Sequence, residues 1–408
     1  MRALVAIALQ LVVSLTCTQG VRANAGFQSF LEQLRPEAAR QGVSGATFDA
    51  ATRGLEPDLS LPDLVVPGRP QPPERGQPEF VQTPAEYLKE ASLARLAAQG
   101  RKLDAQHKQT LARIEREFGV PGGLILAIWG RETAYGAAKL PHNAVRVLAT
   151  QAYVGRRKEQ FREEFILALK MLQDGHAKLA DMKSSWAGAM GLTQFLPSDF
   201  YRSAVDFDGD GRIDVFRSVP DALASAAKQL VDKGWQRGRR WAHEVRAPAD
   251  ADCSIAHPGV TRPARDWIAA GYASADGRVL DSALAEPVSL LMPEGSYGPA
   301  FLTPKNYFVL KEYNFSDLDV LFVGNLADRI AGGGAFRTAW SKSAQLRTVD
   351  VEAMQRRLAT LGLYGDKVDG KAGMLTRAAL GAYQKANGLK LDCWPTAAVL
   401  AHMQRSRR

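Results

Sequence analysis

The chain places a glutamate where its own pattern calls for a buried side chain. In Val120-Pro121-Gly122-Gly123-Leu124-Ile125-Leu126-Ala127-Ile128-Trp129-Gly130-Arg131-Glu132-Thr133 the proline and paired glycines mark a turn, and the apolar run behind them is long enough to start a helix. On that helix Ile125, Ile128, Trp129 and Glu132 take the i, i+3, i+4 and i+7 positions of one face. A carboxylate on an inward stripe loses solvation, which disfavours its charged form, and that is the property a general acid needs near neutral pH. The competing reading ends the helix near Gly130 and leaves Glu132 in an exposed loop. Spacing alone leaves both open.

Two other stretches carry polar groups that could serve such an acid. Ser184-Ser185-Trp186-Ala187-Gly188-Ala189-Met190-Gly191-Leu192-Thr193-Gln194-Phe195 sets four small residues within five positions, with Ser185 and Gln194 as polar groups at either end. Small residues let a ligand or another backbone come close; by composition alone the block favours a tightly packed helix with Ser185 as its N-cap. Asp206-Phe207-Asp208-Gly209-Asp210-Gly211-Arg212-Ile213-Asp214 has the alternating carboxylates and glycine turn of the first half of an EF-hand loop. Arg217 stands where that loop would need its final Glu, so Asp221 is the acid available to close a cation shell.

Other reaction classes lack their residues. The six histidines show no zinc spacing, and no Gly-x-Ser-x-Gly elbow or phosphate-binding Walker loop occurs. What remains is carboxylate chemistry at Glu132. Most glycosidases set two carboxylates roughly 5–10 Å apart, yet no second acid lies on the Glu132 stripe. One carboxylate points to a mechanism in which the substrate supplies the other functional group.

The elements that must hold these residues follow from periodicity. Phe27, Phe30, Leu31 and Leu34 mark an amphipathic helix, with a second near Phe48–Ala51. Residues 57–84 hold eight of the 21 prolines, a density that no helix survives, so an extended connector or surface strap is expected. Thr83-Pro84 opens a helical stretch to about Phe118, with Leu88, Leu93, Leu96, Leu103, Leu111 and Ile114 as core positions. Tyr87, in its first turn, reads as a boundary residue with its ring inward and its hydroxyl wet. Further helices are expected over 143–152, 158–173, 220–230 and 317–330, and short strands between Trp241 and Pro299, including Ala285–Met292. Gly332-Gly333-Gly334 and the polar stretch behind it mark a boundary. Residues 349–408 read as a separate small module, with helices at 350–361 and 375–387 and a core from Val351, Met354, Leu358, Leu375, Ala379 and Tyr383.

At 408 residues the chain has room for two or three domains, and its net charge of +9 suits a polyanionic partner. No dense Lys/Arg block with interleaved aromatics appears, which disfavours nucleic acid. Arg2, the apolar segment Ala3–Leu15 and Ala23-Asn24-Ala25 read as a secretory signal cleaved near Ala25, too short to span a bilayer. Lipidation at Cys17 is disfavoured, because Ser14 and Thr16 stand where a lipidated cysteine has a leucine three residues before it and a small Gly, Ala or Ser immediately before it. The mature chain keeps Cys253 and Cys393, which make no disulfide framework; whether they pair is left open.

Gly130-Arg131-Glu132-Thr133 with Tyr135-Gly136, the 185–197 block and Asp206-Phe207-Asp208-Gly209-Asp210-Gly211 resemble the membrane-bound lytic murein transglycosylase B family over about residues 27–335. Val368-Asp369-Gly370, Gly373, Thr376 and Tyr383-Gln384 resemble the peptidoglycan-binding-domain-1 family, with Cys393 standing where that family usually has glycine. The resemblance implies a mainly α (α+β) fold: a lysozyme-like helical core with a small β subdomain over 26–335, a linker over 336–348 and a small three-helix peptidoglycan-binding domain over 349–408. It implies cleavage of the MurNAc-GlcNAc bond of peptidoglycan with formation of a 1,6-anhydro ring. Glu132 would be the acid/base, Ser185 and Gln194 would line the cleft, and Tyr87, Tyr153, Tyr313 and Asn314 would contact the substrate. Asp206, Asp208, Asp210 and Asp221 would hold a structural Ca2+ or Na+, with no cofactor for the chemistry. Implied surroundings are the periplasm, peptidoglycan glycan strands, other cell-wall enzymes and a monomeric state. The alternatives are a lysozyme-type hydrolase using water and a non-catalytic wall-binding protein.

Overall fold

The computed structural model describes residues 25–68, 82–277, 285–341 and 346–405. The signal-like segment before Ala25, Cys17 and the centre of the proline-rich stretch lie outside them. Two compact units divide the chain: Met1–Glu74 with Glu132–Gln229, and Arg75–Arg131 with Leu230–Arg408.

In the first unit the Ala144–Val154 helix is buried on nearly every side, as its continuous apolar sequence requires, and the Lys158–Gln173 helix packs along it. The helix over residues 25–40 adds Phe27, Leu31 and Leu34, each at most 1% exposed. The described start of the proline-rich stretch is a strap. Leu61 and Leu64 bury against Val147 and Val154, and the Val65 N–H donates to the Val154 carbonyl at 2.6 Å. Strands β1 (His142–Asn143) and β2 (Lys183–Ser184) form a two-stranded antiparallel ribbon.

In the second unit the expected helix from 84 to 118 is three helices, Pro84–Tyr87, Glu90–Gln106 and Lys108–Phe118. Thr83 and Glu86 close a capping box on the first, and Leu88 and His107 leave helical geometry. Glu90–Gln106 packs on Asp317–Ile330, where Arg329 grips both oxygens of Glu90 at 2.6 and 2.7 Å. The five strands β3 (His243–Arg246), β4 (Thr261–Pro263), β5 (Ala273–Ser274), β6 (Pro287–Leu291) and β7 (Ala300–Thr303) form an antiparallel sheet in the order β4-β6-β7-β3-β5. This is the expected small β subdomain.

The described part of the 336–348 linker is pinned, and one core expectation, Leu375, is corrected in the same unit. Arg337 and Thr338 donate their N–H groups to the Glu244 carboxylate at 2.9 and 2.8 Å, Ser341 donates to buried Glu294, and Phe336 packs edge-to-face with Phe301 at 5.0 Å. The tail has the three expected helices, Thr348–Thr360, Met374–Ala386 and Ala397–Arg405, but Leu375 is 42% exposed. Met374 takes the inward position of that first turn, and its neighbour faces water.

The tail is also cross-linked. Cys253, beside the sheet, is bonded to Cys393 of the tail across 140 residues, and both sulfurs lie in one apolar cluster with Trp267, Val288 and Leu290. Cys393 has φ 54, in the left-handed region where glycine carries no steric penalty. Lys385 pairs with Asp252 at 2.6 Å, and Tyr297 donates to Asp392 at 2.7 Å, so the bond sits within a built contact. Closing so long a loop restricts the unfolded chain and stabilises the fold by about 2–5 kcal/mol. A reductant is therefore expected to lower the melting temperature by roughly 5–10 °C. An unchanged melting curve under reducing conditions would contradict that.

Candidate active site

Glu132 lies in the last turn of the Gly122–Thr133 helix, so the reading that leaves it in a loop is overturned. From Leu124 to Trp129 every residue is buried, not one stripe only; Ile125 and Leu126 are 0% exposed. Glu132 itself is half-buried. Beyond Thr133 the chain turns sharply, with Ala134, Tyr135 and Gly136 at φ 48, 61 and 83. Two successive non-glycine residues in that region cost about 1–2 kcal/mol each. Burial pushes the Tyr135 hydroxyl above its usual titration range.

The residues on either side of Glu132 are each anchored within their own unit. Arg131 donates through Nε to Asp319 at 2.6 Å and through Nη2 to the Tyr87 hydroxyl, and its guanidinium lies 5.0 Å from the Tyr87 ring centre and 5.1 Å from that of Phe322. Tyr87 is 8% exposed and donates to the same Asp319 oxygen at 2.9 Å. Its hydroxyl is therefore engaged in a buried network rather than wet. On the other side Thr133 donates through Oγ1 to the Leu192 carbonyl at 2.7 Å, while Thr133 Oγ1 accepts the Gly136 N–H at 3.1 Å. The helix end is thus fastened to the Ser185–Phe195 segment.

That segment is a loop, which corrects the helix favoured by its composition. Ser184 and Phe195 each bridge to Met190, folding the chain back on itself. Ser185 does act as a cap, but over a turn: its Oγ accepts the N–H groups of Ala187 and Ala189 at 3.3 and 3.2 Å. Gly188 and Gly191 hold φ 84 and 75. A Cβ on Gly188 would sit 2.2 Å from Leu148, and one on Gly191 would sit 2.6 Å from the Val215 carbonyl. Both tight contacts require glycine. Gln194, at φ 57, turns its amide back to the Gly191 carbonyl at 3.0 Å. Ser185 and Gln194 are half-buried at the two ends of this loop.

The remaining expected site residues are more dispersed. Tyr153, near the end of Ala144–Val154, packs its ring on Phe27 and Phe30 at 5.4 and 5.2 Å. In the second unit Tyr313 and Asn314 close the Lys305–Asn314 helix, both half-buried, just before Phe315 turns left-handed at φ 51. Arg131, Thr133 and Asp319 had no assigned role in the sequence. For Asp319 a signal existed, because Asp319, Phe322, Val323 and Leu326 repeat the i, i+3, i+4, i+7 spacing of the Glu132 stripe and are all buried.

The acidic loop brings Asp206, Asp208 and Asp210 together, with ligand atoms within 4.8 Å of one another. Asp206 accepts the N–H groups of Gly209 and Gly211 at 2.7 and 2.8 Å, which curls the loop around its own carboxylates. Three converging exposed carboxylates fit a hard cation. Asp221 is not among them, contrary to the expected ligand set. It is fully buried, and its oxygens accept the N–H groups of Phe207, Asp208 and Asp214 at 2.8, 3.2 and 2.8 Å. It braces the loop from below.

Residues 26–328 match the family described as a transglycosylase SLT domain, and residues 347–403 match a putative peptidoglycan binding domain. The crystal structure of SltB3 from Pseudomonas aeruginosa in complex with NAG-anhNAM-pentapeptide is similar over 93% of this chain and 99% of that one, at 38% identity and a TM-score of 0.83. The membrane-bound lytic murein transglycosylase B of Escherichia coli is 37% identical over 134 residues, which is 33% of this chain. The chain spans 37% of the length of that curated relative. The Escherichia coli lytic transglycosylase Slt35 in complex with calcium is similar over 76% of this chain and 93% of that one, at 23% identity and a TM-score of 0.55, a likeness of fold.

Proposed function

The chain belongs to the transglycosylase SLT domain family, and from that premise we propose that it cleaves the bond between N-acetylmuramic acid and N-acetylglucosamine in peptidoglycan, with Glu132 as the single acid and base. The observation that carries this reading is the placement of Glu132: last turn of a buried helix, half-buried, with both chain neighbours anchored. A carboxyl held in this way is a preoriented proton donor and acceptor.

In its acid form Glu132 gives its proton to the glycosidic oxygen as the bond to the anomeric carbon breaks. The N-acetyl oxygen of the muramic acid stabilises the developing cation, the task a second carboxylate performs in most glycosidases. Ionised Glu132 then takes the proton of the muramic acid 6-hydroxyl, whose oxygen closes on the anomeric carbon. Acid and base return to their starting state, and no water is consumed. The product is a 1,6-anhydro end, the kind of saccharide present in the SltB3 complex. A lysozyme-type hydrolase would instead leave reducing ends, each heavier by one water, so the mass of the released ends tests the reading.

Ser185, Gln194, Tyr153, Tyr313 and Asn314 contact the glycan in this proposal, whereas Tyr87 serves as a positioning residue through Arg131. A structural Ca2+ is assigned to Asp206, Asp208 and Asp210, with Asp221 as the brace; the related Slt35 binds calcium. Chelation is expected to lower the melting temperature, because a cation at a hundred times its Kd adds about 2.7 kcal/mol to the native state. A melting curve indifferent to chelator and to added Ca2+ would remove the cation from the account. The enzyme is placed in the periplasm, acting as a monomer on glycan strands alongside other cell-wall enzymes and not on nucleic acid. Among the described residues no helix is long and apolar enough to cross a membrane.

A further inference from the structure

Within the second unit, a cavity of about 80 Å³ opens where the start of Asp317–Ile330 faces the tail helix Met374–Ala386. Lys311 and Arg377 both pair with Asp317, at 2.6 and 3.1 Å, and Tyr307 donates to the same carboxylate at 2.8 Å. Those cations hold the Asp317 carboxyl well below the usual carboxylate range despite its burial. Two cations face one anion, so the cluster keeps a net positive charge. An ammonium has three donors, and Lys311 uses one on Asp317 and a second, weakly, on the Met374 sulfur at 3.6 Å.

Two further residues of this cavity lack an internal explanation. Trp394 is 3% exposed, and its indole N–H has no acceptor among the described residues. A buried donor without an acceptor loses its hydration for no return in the folded protein alone. Phe315 is 75% exposed and sits at φ 51, a conformation that bulky residues rarely hold. An aromatic ring kept in water on a strained backbone is the mark of a contact surface. Because the disulfide and the Asp252–Lys385 pair hold the tail in place, both walls of the cavity are fixed in advance.

We propose that this cavity is a second peptidoglycan contact that takes a carboxylate of the peptide stem, with an apolar stem side chain covering Phe315. Surplus positive charge, free ammonium donor capacity and an indole N–H without an acceptor together ask for an anionic acceptor. The cavity has room for a carboxylate-sized group beside Lys311, Arg377 and Trp394. The proposal rests on the peptidoglycan reading for the source of the peptide.

The test uses the full chain carrying Glu132→Gln, so that no probe is consumed. Three probes are titrated calorimetrically: a disaccharide-tetrapeptide prepared from sacculi, the same compound amidated at its carboxylates, and the peptide-free disaccharide. The carboxylate form is expected to bind about threefold to tenfold more tightly than the other two. Trp394→Phe, which keeps the ring and removes the N–H, is expected to erase the preference for the carboxylate form over the amidated one, and Phe315→Ala, at an exposed position, to weaken both peptide-bearing probes while leaving the peptide-free disaccharide unchanged. Equal affinity for the three probes, or an undiminished carboxylate preference in Trp394→Phe, would overturn this inference alone. Absence of binding by all three would overturn the peptidoglycan reading with it.

Discussion

Glu132→Gln protein is expected to release soluble fragments from sacculi at least about a hundredfold more slowly than wild type, and up to ten-thousandfold. The amide keeps the size and hydrogen-bonding capacity of the side chain but neither donates a proton to the leaving oxygen nor removes one from the 6-hydroxyl. Both steps pass through one group, so neither is left running when it is lost. Sacculus binding, measured by co-sedimentation, is expected to persist, because the tail and the glycan contacts are untouched. Release at more than about a tenth of the wild-type rate would move the chemistry to another residue.

The second large effect is expected at the neighbouring position. Arg131→Met removes the cation from Asp319, whose side chain is 5% exposed, and from the Tyr87 hydroxyl. Breaking a buried pair from one side costs about 3–5 kcal/mol. The 29% exposure of Arg131 places this case nearer 2–3 kcal/mol, since water already screens part of the interaction. The melting temperature should fall by several degrees. The catalytic rate should fall as well, with little change in KM, because the turn that carries Glu132 loses one of its two anchors. Adding Asp319→Leu should recover much of the stability, since an apolar pair is often as good as a buried ionic one, while kcat stays low. Full activity in Arg131→Met would mean that the Thr133–Leu192 bond alone sets the acid.

How much of this was legible depended on whether the signal was local. The Glu132 helix, the 317–330 helix and the acidic loop are written in spacings of a few residues, and each forms where the sequence put it. The Ser185–Phe195 loop is not legible in the sequence, because small residues suit both a tight helix and a tight turn. Gly188 and Gly191 hold their positive φ where Leu148 and the Val215 carbonyl, from elsewhere in the chain, leave no room for a Cβ. The buried state of the Tyr87 hydroxyl is hidden for a similar reason: its partner, Asp319, lies 232 positions away. Asp221 was a reasonable ligand by distance along the chain, but three loop N–H groups take its oxygens first. The disulfide joins residues 140 apart, and pairing at that range is a property of the folded unit. Asp319 is the instructive omission. It carries the spacing that drew attention to Glu132, yet its sequence context gave no reason to ask what it would hold.

If Glu132 closes a 1,6-anhydro ring without water, mass spectrometry of sacculi digested with wild-type and Glu132→Gln protein reads it in the released ends. Muropeptides whose muramic acid ends are one water lighter than reducing ends are expected in the wild-type digest and nearly absent from the variant digest. Reducing ends in the wild-type digest, or anhydro ends released equally by both proteins, would contradict that role of Glu132.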